Sequence, residues 1–346
     1  MKAVLAGAAG VGKSTLFNAL TESTAKGGRT GASVGTVLLP DRRIDQLVEL
    51  YEPRKITPIE YQIVDPGMST RASKGSGLPE IYREAGLLVL VIGAFAGPLA
   101  DGTDEVVSEL CGFDDDLILH DLAQVERRQE RLVKEGKAKS READILGRLR
   151  ALLEDGRPAR TADLSEEDWL PFASFVFLSR TPMLAVINIA ESDVAAALPN
   201  AIRDAAGHRK IAVICLCAEL EAELAELAEL PAQERAEMAA GVGIEELAKS
   251  RFLTTAYRML DRICFLTAGE DEVRAWPIRR GATALEAAGK IHSDIQRGFI
   301  RAEVTSVEDL LAHGDEAGCR KAGVLRLEGK EYVVKDGDVI NFRFAV

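Results

Sequence analysis

Gly7-Ala8-Ala9-Gly10-Val11-Gly12-Lys13-Ser14 sets glycines, a lysine and a hydroxyl at the spacing G-x-x-x-x-G-K-S. These residue types at this spacing suit polyphosphate chemistry. Glycine lets main-chain N–H groups crowd around phosphate oxygens, and a helix opening just after the loop adds its positive end. Lys13 would reach the β- and γ-phosphates and steady the charge on the γ-phosphoryl, while the Ser14 hydroxyl would ligate Mg²⁺. The whole run Gly7 to Thr15 is therefore the expected cradle for a nucleoside triphosphate, with Lys13 as its catalytic cation.

Two further positions would complete such a site. Asp65 ends the apolar run Tyr61-Gln62-Ile63-Val64 and is followed by Pro66-Gly67. A carboxylate there would hold Mg²⁺ through water, and the Gly67 N–H would face the γ-phosphate. The usual D-x-x-G is one residue shorter here, and Met68 follows, so no glutamine stands ready to orient water. At the base end, Asn188-Ile189-Ala190-Glu191 follows an apolar run where guanine binders read N-K-x-D. An Asn can bond the N7 edge of either purine. Glu191 is one methylene longer than Asp and Ile189 replaces the lysine, so both ATP and GTP stay open. Cys217-Ala218-Glu219 occupies the place of the S-A-K loop that backs the base.

Residues so far apart must be positioned by a sheet. The sequence predicts strands over 2–6, 34–39, 61–64, 87–92, 183–188 and 211–217, with a helix over 15–20. Near-continuous apolar runs such as Leu87-Leu88-Val89-Leu90-Val91-Ile92 belong in a parallel sheet covered on both faces. Between them, residues 114–171 carry two stretches at helical spacing separated at Gly136, which predicts an antiparallel helical hairpin. From Arg127 to Arg150 that hairpin holds nine Lys or Arg against four acids. A charged helix face is either solvated or an arm for phosphate backbone, as on ribosomal RNA. Residues 219–237 read as one Glu/Ala/Leu helical stretch. After residue 269, short β-like runs at 272–277, 299–304, 323–327 and 332–334 surround one helix at 284–291, and a turn and strand close the chain. The expected division is 1–113 with 172–262, a hairpin of 114–171, and a small domain of 263–346.

Composition narrows the class. The chain has 346 residues, 47% hydrophobic and 28% charged, with a formal charge of −12. That acidic balance argues against DNA or a nucleic-acid coat over the whole surface and leaves room for one local basic face. No apolar stretch approaches the roughly 20 residues that span a bilayer, and cleavage near Met1-Lys2 would destroy the phosphate loop. A cytoplasmic protein without a membrane role is expected. Cys111, Cys215, Cys217, Cys264 and Cys319 lack metal-binding spacing and read as reduced thiols.

These pieces, in this order, resemble the YchF family of Obg-related P-loop proteins along nearly the whole chain. The resemblance rests on Gly7–Leu20, Val34-Gly35 with Pro40-Asp41, Ala72-Ser73-Lys74-Gly75 and Asn188 with Glu191. It also rests on residues 221–227 and on the tail: Thr267-Ala268-Gly269, residues 272–276, 287–292 and 298–303. The tail is similar to the family's TGS domain, a ubiquitin-like β-grasp module. The resemblance implies an α/β P-loop NTPase sheet interrupted by a coiled-coil hairpin, ATP preferred over GTP, Mg²⁺ dependence, and association with ribosomes. Against the family pattern, Ala9-Gly10 replaces Pro-Asn, and Arg29-Thr30-Gly31-Ala32-Ser33 replaces the usual switch I stretch. Thr30 is then the candidate metal or γ-phosphate contact. No histidine follows the strand at 87–92. Binding is expected to survive these changes; hydrolysis could be slow, or absent in a pure nucleotide sensor. His292 is expected to pack or cap, and Trp276 and Phe299 to fill the small domain's core.

Overall fold

Strands that bury both faces need neighbours on both sides, and the apolar runs find them in a six-stranded sheet. The computed structural model describes residues 2–21, 32–67, 78–227, 232–244 and 246–345. In chain order the first elements are β1 (Lys2–Ala6), α1 (Lys13–Thr21), β2 (Ser33–Leu38), α2 (Arg42–Tyr51), β3 (Ile56–Thr57) and β4 (Glu60–Asp65). Then come β5 (Leu87–Ala94), α3 (Thr103–Lys134), α4 (Arg141–Glu154), α5 (Glu166–Trp169), β6 (Met183–Ile189), α6 (Asn200–His208) and β7 (Ile211–Leu216). α7 (Ala218–Glu226), α8 (Ala232–Gly241) and α9 (Ala248–Met259) follow. The expected single helix over 219–237 is thus two, α7 and α8.

The chain forms two compact units, Met1–Val37 with Gln62–Ala256, and Leu38–Tyr61 with Tyr257–Val346. The first is built on a sheet of order β2-β4-β1-β5-β6-β7. The pairs β1–β4, β1–β5, β5–β6 and β6–β7 are parallel. Val106, Leu110, Phe113 and Leu117 of α3 and Ile202 and Ala206 of α6 join β1, β5 and β6 in one apolar cluster, while α1 packs against α7. This is the α/β parallel-sheet class expected.

The helical hairpin is present, but its first helix starts at Thr103 rather than 114. At 32 residues, α3 is about 48 Å long at 1.5 Å per residue. Its first half packs on the sheet. Its second half joins α4 in a separate cluster of Val125, Leu132, Ile145, Leu146, Leu149 and Leu153, closed by Trp169, Phe172 and Phe177. One unbroken helical period serves both cores, which hides the boundary. Ser140 caps α4 by accepting the Ala143 N–H.

The second unit continues with β8 (Arg262–Thr267), β9 (Val273–Arg279), α10 (Ala284–Ile291), α11 (Ser293–Arg297) and β10 (Phe299–Thr305). It ends with α12 (Val307–His313), α13 (Glu316–Ala322), β11 (Arg326–Glu328) and β12 (Val339–Phe344). Its sheet order is β11-β10-β12-β8-β9-β3. β8 and β9 are antiparallel, β12 joins β8 in parallel, and β10 runs antiparallel to β12 and β11. With Ala284, Ala287 and Ala288 of α10 packed on Ile263, Phe265, Val304 and Phe342, this is a β-grasp arrangement.

Four expectations change here. Four helices stand where one was predicted, because Ser306 and Asp315 cap α12 and α13. The run 323–327 begins with Gly323 ending α13 at φ 75° and only then becomes β11. The run 332–334 contributes just one bridge, Val333 to Thr283. Residues 38–61, read as part of the nucleotide domain, group instead with the C-terminal segment. β3 pairs with β9, Ile56 opposite Val273, and Arg43 donates to Asp336 at 2.9 Å. As expected, Phe299 is buried in this core, Trp276 packs beside it and bonds Thr267 Oγ1, and His292 caps α11 by accepting the Asp294 N–H.

Candidate nucleotide-binding site

β1 delivers the loop 7–12 to the edge of the sheet, and α1 opens directly after it. Gly7 has φ 134° and Gly12 φ 95°. A Cβ on Gly7 would strike the Val91 carbonyl oxygen, and one on Gly12 the Asn188 amide, so glycine is required at both. Gly7, Val11 and Lys13 are buried, Ala8, Gly12 and Thr15 half-buried, and Ala9, Gly10 and Ser14 exposed. The loop thus presents its tip to solvent and keeps its base fixed. Lys13 Nζ donates to the carbonyls of Ala8 at 2.6 Å and Gly7 at 3.2 Å. Burial pulls its pKa down, against the opposing pull of the Asp65 and Glu109 carboxylates. Its ammonium therefore sits folded into the loop.

Ser14 and Asp65, distant in sequence, meet here. Ser14 Oγ donates to Asp65 Oδ2 at 2.6 Å, and Asp65 is itself buried. A hydroxyl and a carboxylate side by side are the hard oxygen donors that Mg²⁺ prefers. Gly67 turns back on Asp65. Its N–H donates to Asp65 Oδ1 at 2.9 Å, since the shortened Asp-Pro-Gly closes as a side-chain turn onto the second amide. Thr30, Met68 and residues 72–75 lie outside the described residues. Among the described residues no group of three or more His, Cys, Asp or Glu could hold a metal by itself.

At the base end, Asn188 Nδ2 donates to the Val11 carbonyl at 3.1 Å and its Oδ1 accepts from Ala218 N at 2.9 Å. One amide N–H remains for a ligand. The Ile189 side chain is buried in the apolar cluster. Glu191 is exposed in a short 3₁₀ turn, Glu191–Asp193. Cys217 and Ala218 are buried and Glu219 exposed where α7 begins. Sequence reasoning missed two residues at this end. The ring of Phe95 lies over Gly93 beside Val11, half exposed, and Asp193 Oδ2 accepts the Leu99 N–H at 2.9 Å. An aromatic residue just past the most apolar strand was the available signal for Phe95; Asp193 had none.

Residues 262–345 match the family model YchF-GTPase_C, described as a protein of unknown function (DUF933). The Ribosome-binding ATPase YchF of Bacillus subtilis (strain 168) is 38% identical, with 100% of each chain covered. The chain belongs to the YchF family. The Haemophilus influenzae protein of the same name is 35% identical over 100% of this chain and 99% of its own. The solved Schizosaccharomyces pombe YchF GTPase superposes with a TM-score of 0.83 at 28% identity, covering 99% of this chain and 97% of that one.

In this YchF member the hairpin's charges divide into two sets. Arg128 joins the two helices, donating to Glu142 at 2.7 and 3.0 Å and to Glu135 at 3.3 Å. Arg141 pairs with Asp168, Arg150 with Glu126 and Glu154, and Lys137 with Glu135. Arg131, Lys134 and Lys139 are exposed and have no ion pair among the described residues. Arg127 and Arg148 also lack an ion pair among the described residues but bond the carbonyls of Ala123 and Asp163, so the cations left without a bonded partner among the described residues stand beside the turn. Among the described residues no helix is long and apolar enough to cross a membrane, and all five cysteines are free.

Proposed function

We propose that this protein is a P-loop nucleoside triphosphatase that binds ATP, hydrolyses it slowly and reports its nucleotide state to the ribosome in the cytoplasm. The observation that carries the reading is the Lys13 ammonium folded onto the loop carbonyls beside the Ser14–Asp65 contact. Full-length relatives are named ribosome-binding ATPases, which supports both the nucleotide and the partner.

Ser14 would hold Mg²⁺ together with the phosphates, with Asp65 behind it. Mg²⁺ supplies positive charge against the oxygens of the triphosphate. Lys13 and the amides of Gly10 and Gly12 steady charge on the γ-phosphoryl. No side chain of the described site orients water, so turnover should be near unassisted rates of about 10⁻⁴ to 10⁻² s⁻¹. Asn188 offers its remaining N–H to the purine, and Phe95 offers an apolar face beside the loop. The free cations at the hairpin turn would meet ribosomal RNA phosphates.

A GTPase of the same fold is the second reading, favoured by the fission yeast relative named a GTPase and by Glu191, which could do the work of aspartate. Titrating ATP and GTP with Mg²⁺, then repeating with Glu191→Asp, separates them. Tighter ATP binding by the natural chain supports the first reading; tighter GTP binding overturns it.

A further inference from the structure

β5 and β6 run in parallel with Gly93 opposite Asn188 and Ala94 opposite Ile189. The loop leaving β5 and the turn leaving β6 therefore emerge together at the carboxyl edge of the sheet, where open parallel sheets bind their ligands. The β5 loop carries Phe95. Its ring is 48% exposed, and a Cβ on Gly93 would lie 2.9 Å from Phe95 Cε1 and 3.4 Å from Val11 Cα. The ring thus stands next to the phosphate loop and outside the core. Four residues on, Leu99 is buried in the apolar cluster under α3. Between them lie Ala96, Gly97 and Pro98, whose small side chains give the loop little packing of its own.

The Leu99 N–H is held by Asp193 Oδ2 at 2.9 Å. Asp193 ends the 3₁₀ turn that begins with Glu191, and Asn188 precedes that turn on β6. A single carboxylate therefore connects the base-reading turn to the loop that carries the aromatic ring. Hydrogen bonds to a carboxylate are shorter and stronger than neutral ones, which suits a clip on a loop whose residues 95–98 are exposed.

We propose that Asp193 is a positioning residue for the base end of the nucleotide: by holding the Leu99 N–H it fixes the 95–99 loop against the base-reading turn and keeps the Phe95 ring at the mouth of the site. The inference rests on the nucleotide-binding reading above. It concerns only how the base and its sugar are held, and the phosphate loop does not depend on it.

The test compares ATP with inorganic tripolyphosphate, both with Mg²⁺, on the full chain by calorimetry. Asp193→Ala should weaken ATP roughly tenfold or more, the size of a lost hydrogen bond to a charged group, and leave tripolyphosphate unchanged. Asp193→Asn keeps an acceptor oxygen and should lose less, again for ATP alone; it carries the test if the alanine variant does not fold. Phe95→Ala should weaken ATP in the same selective way, and the double variant should be no weaker than Phe95→Ala, because Asp193 acts through that ring. Unchanged ATP binding by a folded Asp193→Ala would overturn the proposal. So would equal losses for both ligands, or losses that add to those of Phe95→Ala. Natural protein that binds neither ligand would overturn the nucleotide reading, and the inference with it.

Discussion

Asn188 and Val11 are joined across the mouth of the site, the Asn188 amide donating to the Val11 carbonyl at 3.1 Å while its oxygen holds Ala218 N at 2.9 Å. One side chain thereby braces the loop at 7–12 against the start of α7. Asn188→Ala would leave a buried carbonyl and a buried N–H without partners, a cost of about 1–3 kcal/mol each. Urea unfolding should record that loss, and both ATP and GTP should bind more weakly because the brace serves the loop rather than one base. A variant that loses only one nucleotide would make Asn188 a base reader and no brace.

At the root of the hairpin, Asp114 is fully buried and accepts from Arg160 at 2.6 Å and Arg209 at 3.0 Å. Removing one partner of a buried ion pair strands the other charge. Asp114→Ala should therefore cost about 3–5 kcal/mol, read as a lower denaturation midpoint of the whole chain. A loss below 1 kcal/mol would show that water reaches the two arginines.

Glu221 gives a pH-dependent effect. Its Oε2 accepts from Ala248 N at 2.8 Å, and its buried Oε1 has no hydrogen-bond partner. Burial raises its pKa, against the pull of the Ala248 N–H and Arg251. A pKa higher in the folded state means that folding favours the protonated acid. Its contribution is full below the ordinary glutamate range and is lost as pH rises through the raised value. Glu221→Gln keeps the acceptor without the charge. It should flatten the fall in stability above the ordinary glutamate range and raise stability at neutral pH. Stability that falls at neutral pH would mean that the carboxylate is held ionised by Arg251.

How far these sites could be read in advance depended on how local their causes are. The phosphate loop was legible because glycine, lysine and serine requirements are set within eight residues and one strand-to-helix turn. The strands of the main sheet were legible because a strand buried on both faces must be apolar throughout. The start of α3 was not, since the same helical spacing packs first on the sheet and then on α4. The grouping of residues 38–61 with the C-terminal unit was hidden because it rests on contacts such as Ile56 with Val273 and Arg43 with Asp336. Nothing near either partner announces these contacts. The Gly67 bond to Asp65 was not legible, because a turn one residue short can close on its own aspartate. The Asp193–Leu99 bond joins two loops whose sequences look ordinary.

For the hairpin, the division of its charges sorts the variants. Replacing Arg131, Lys134 and Lys139 with glutamine should weaken ribosome binding and lower its salt slope by about 2 to 3, measured by pelleting across a salt series. Arg128→Ala should instead lower stability through loss of its Glu142 bond. An unchanged salt slope in the triple variant would return these cations to a solvated face.

The most direct measurement is equilibrium binding of ATP with Mg²⁺ to the natural chain and to Lys13→Ala, with folding of both checked by circular dichroism. The Lys13 ammonium is the one charge folded into the loop, so its loss should weaken ATP by at least tenfold, about 1.4 kcal/mol or more. A folded Lys13→Ala protein that binds ATP as tightly as the natural chain would contradict the nucleotide site assigned here.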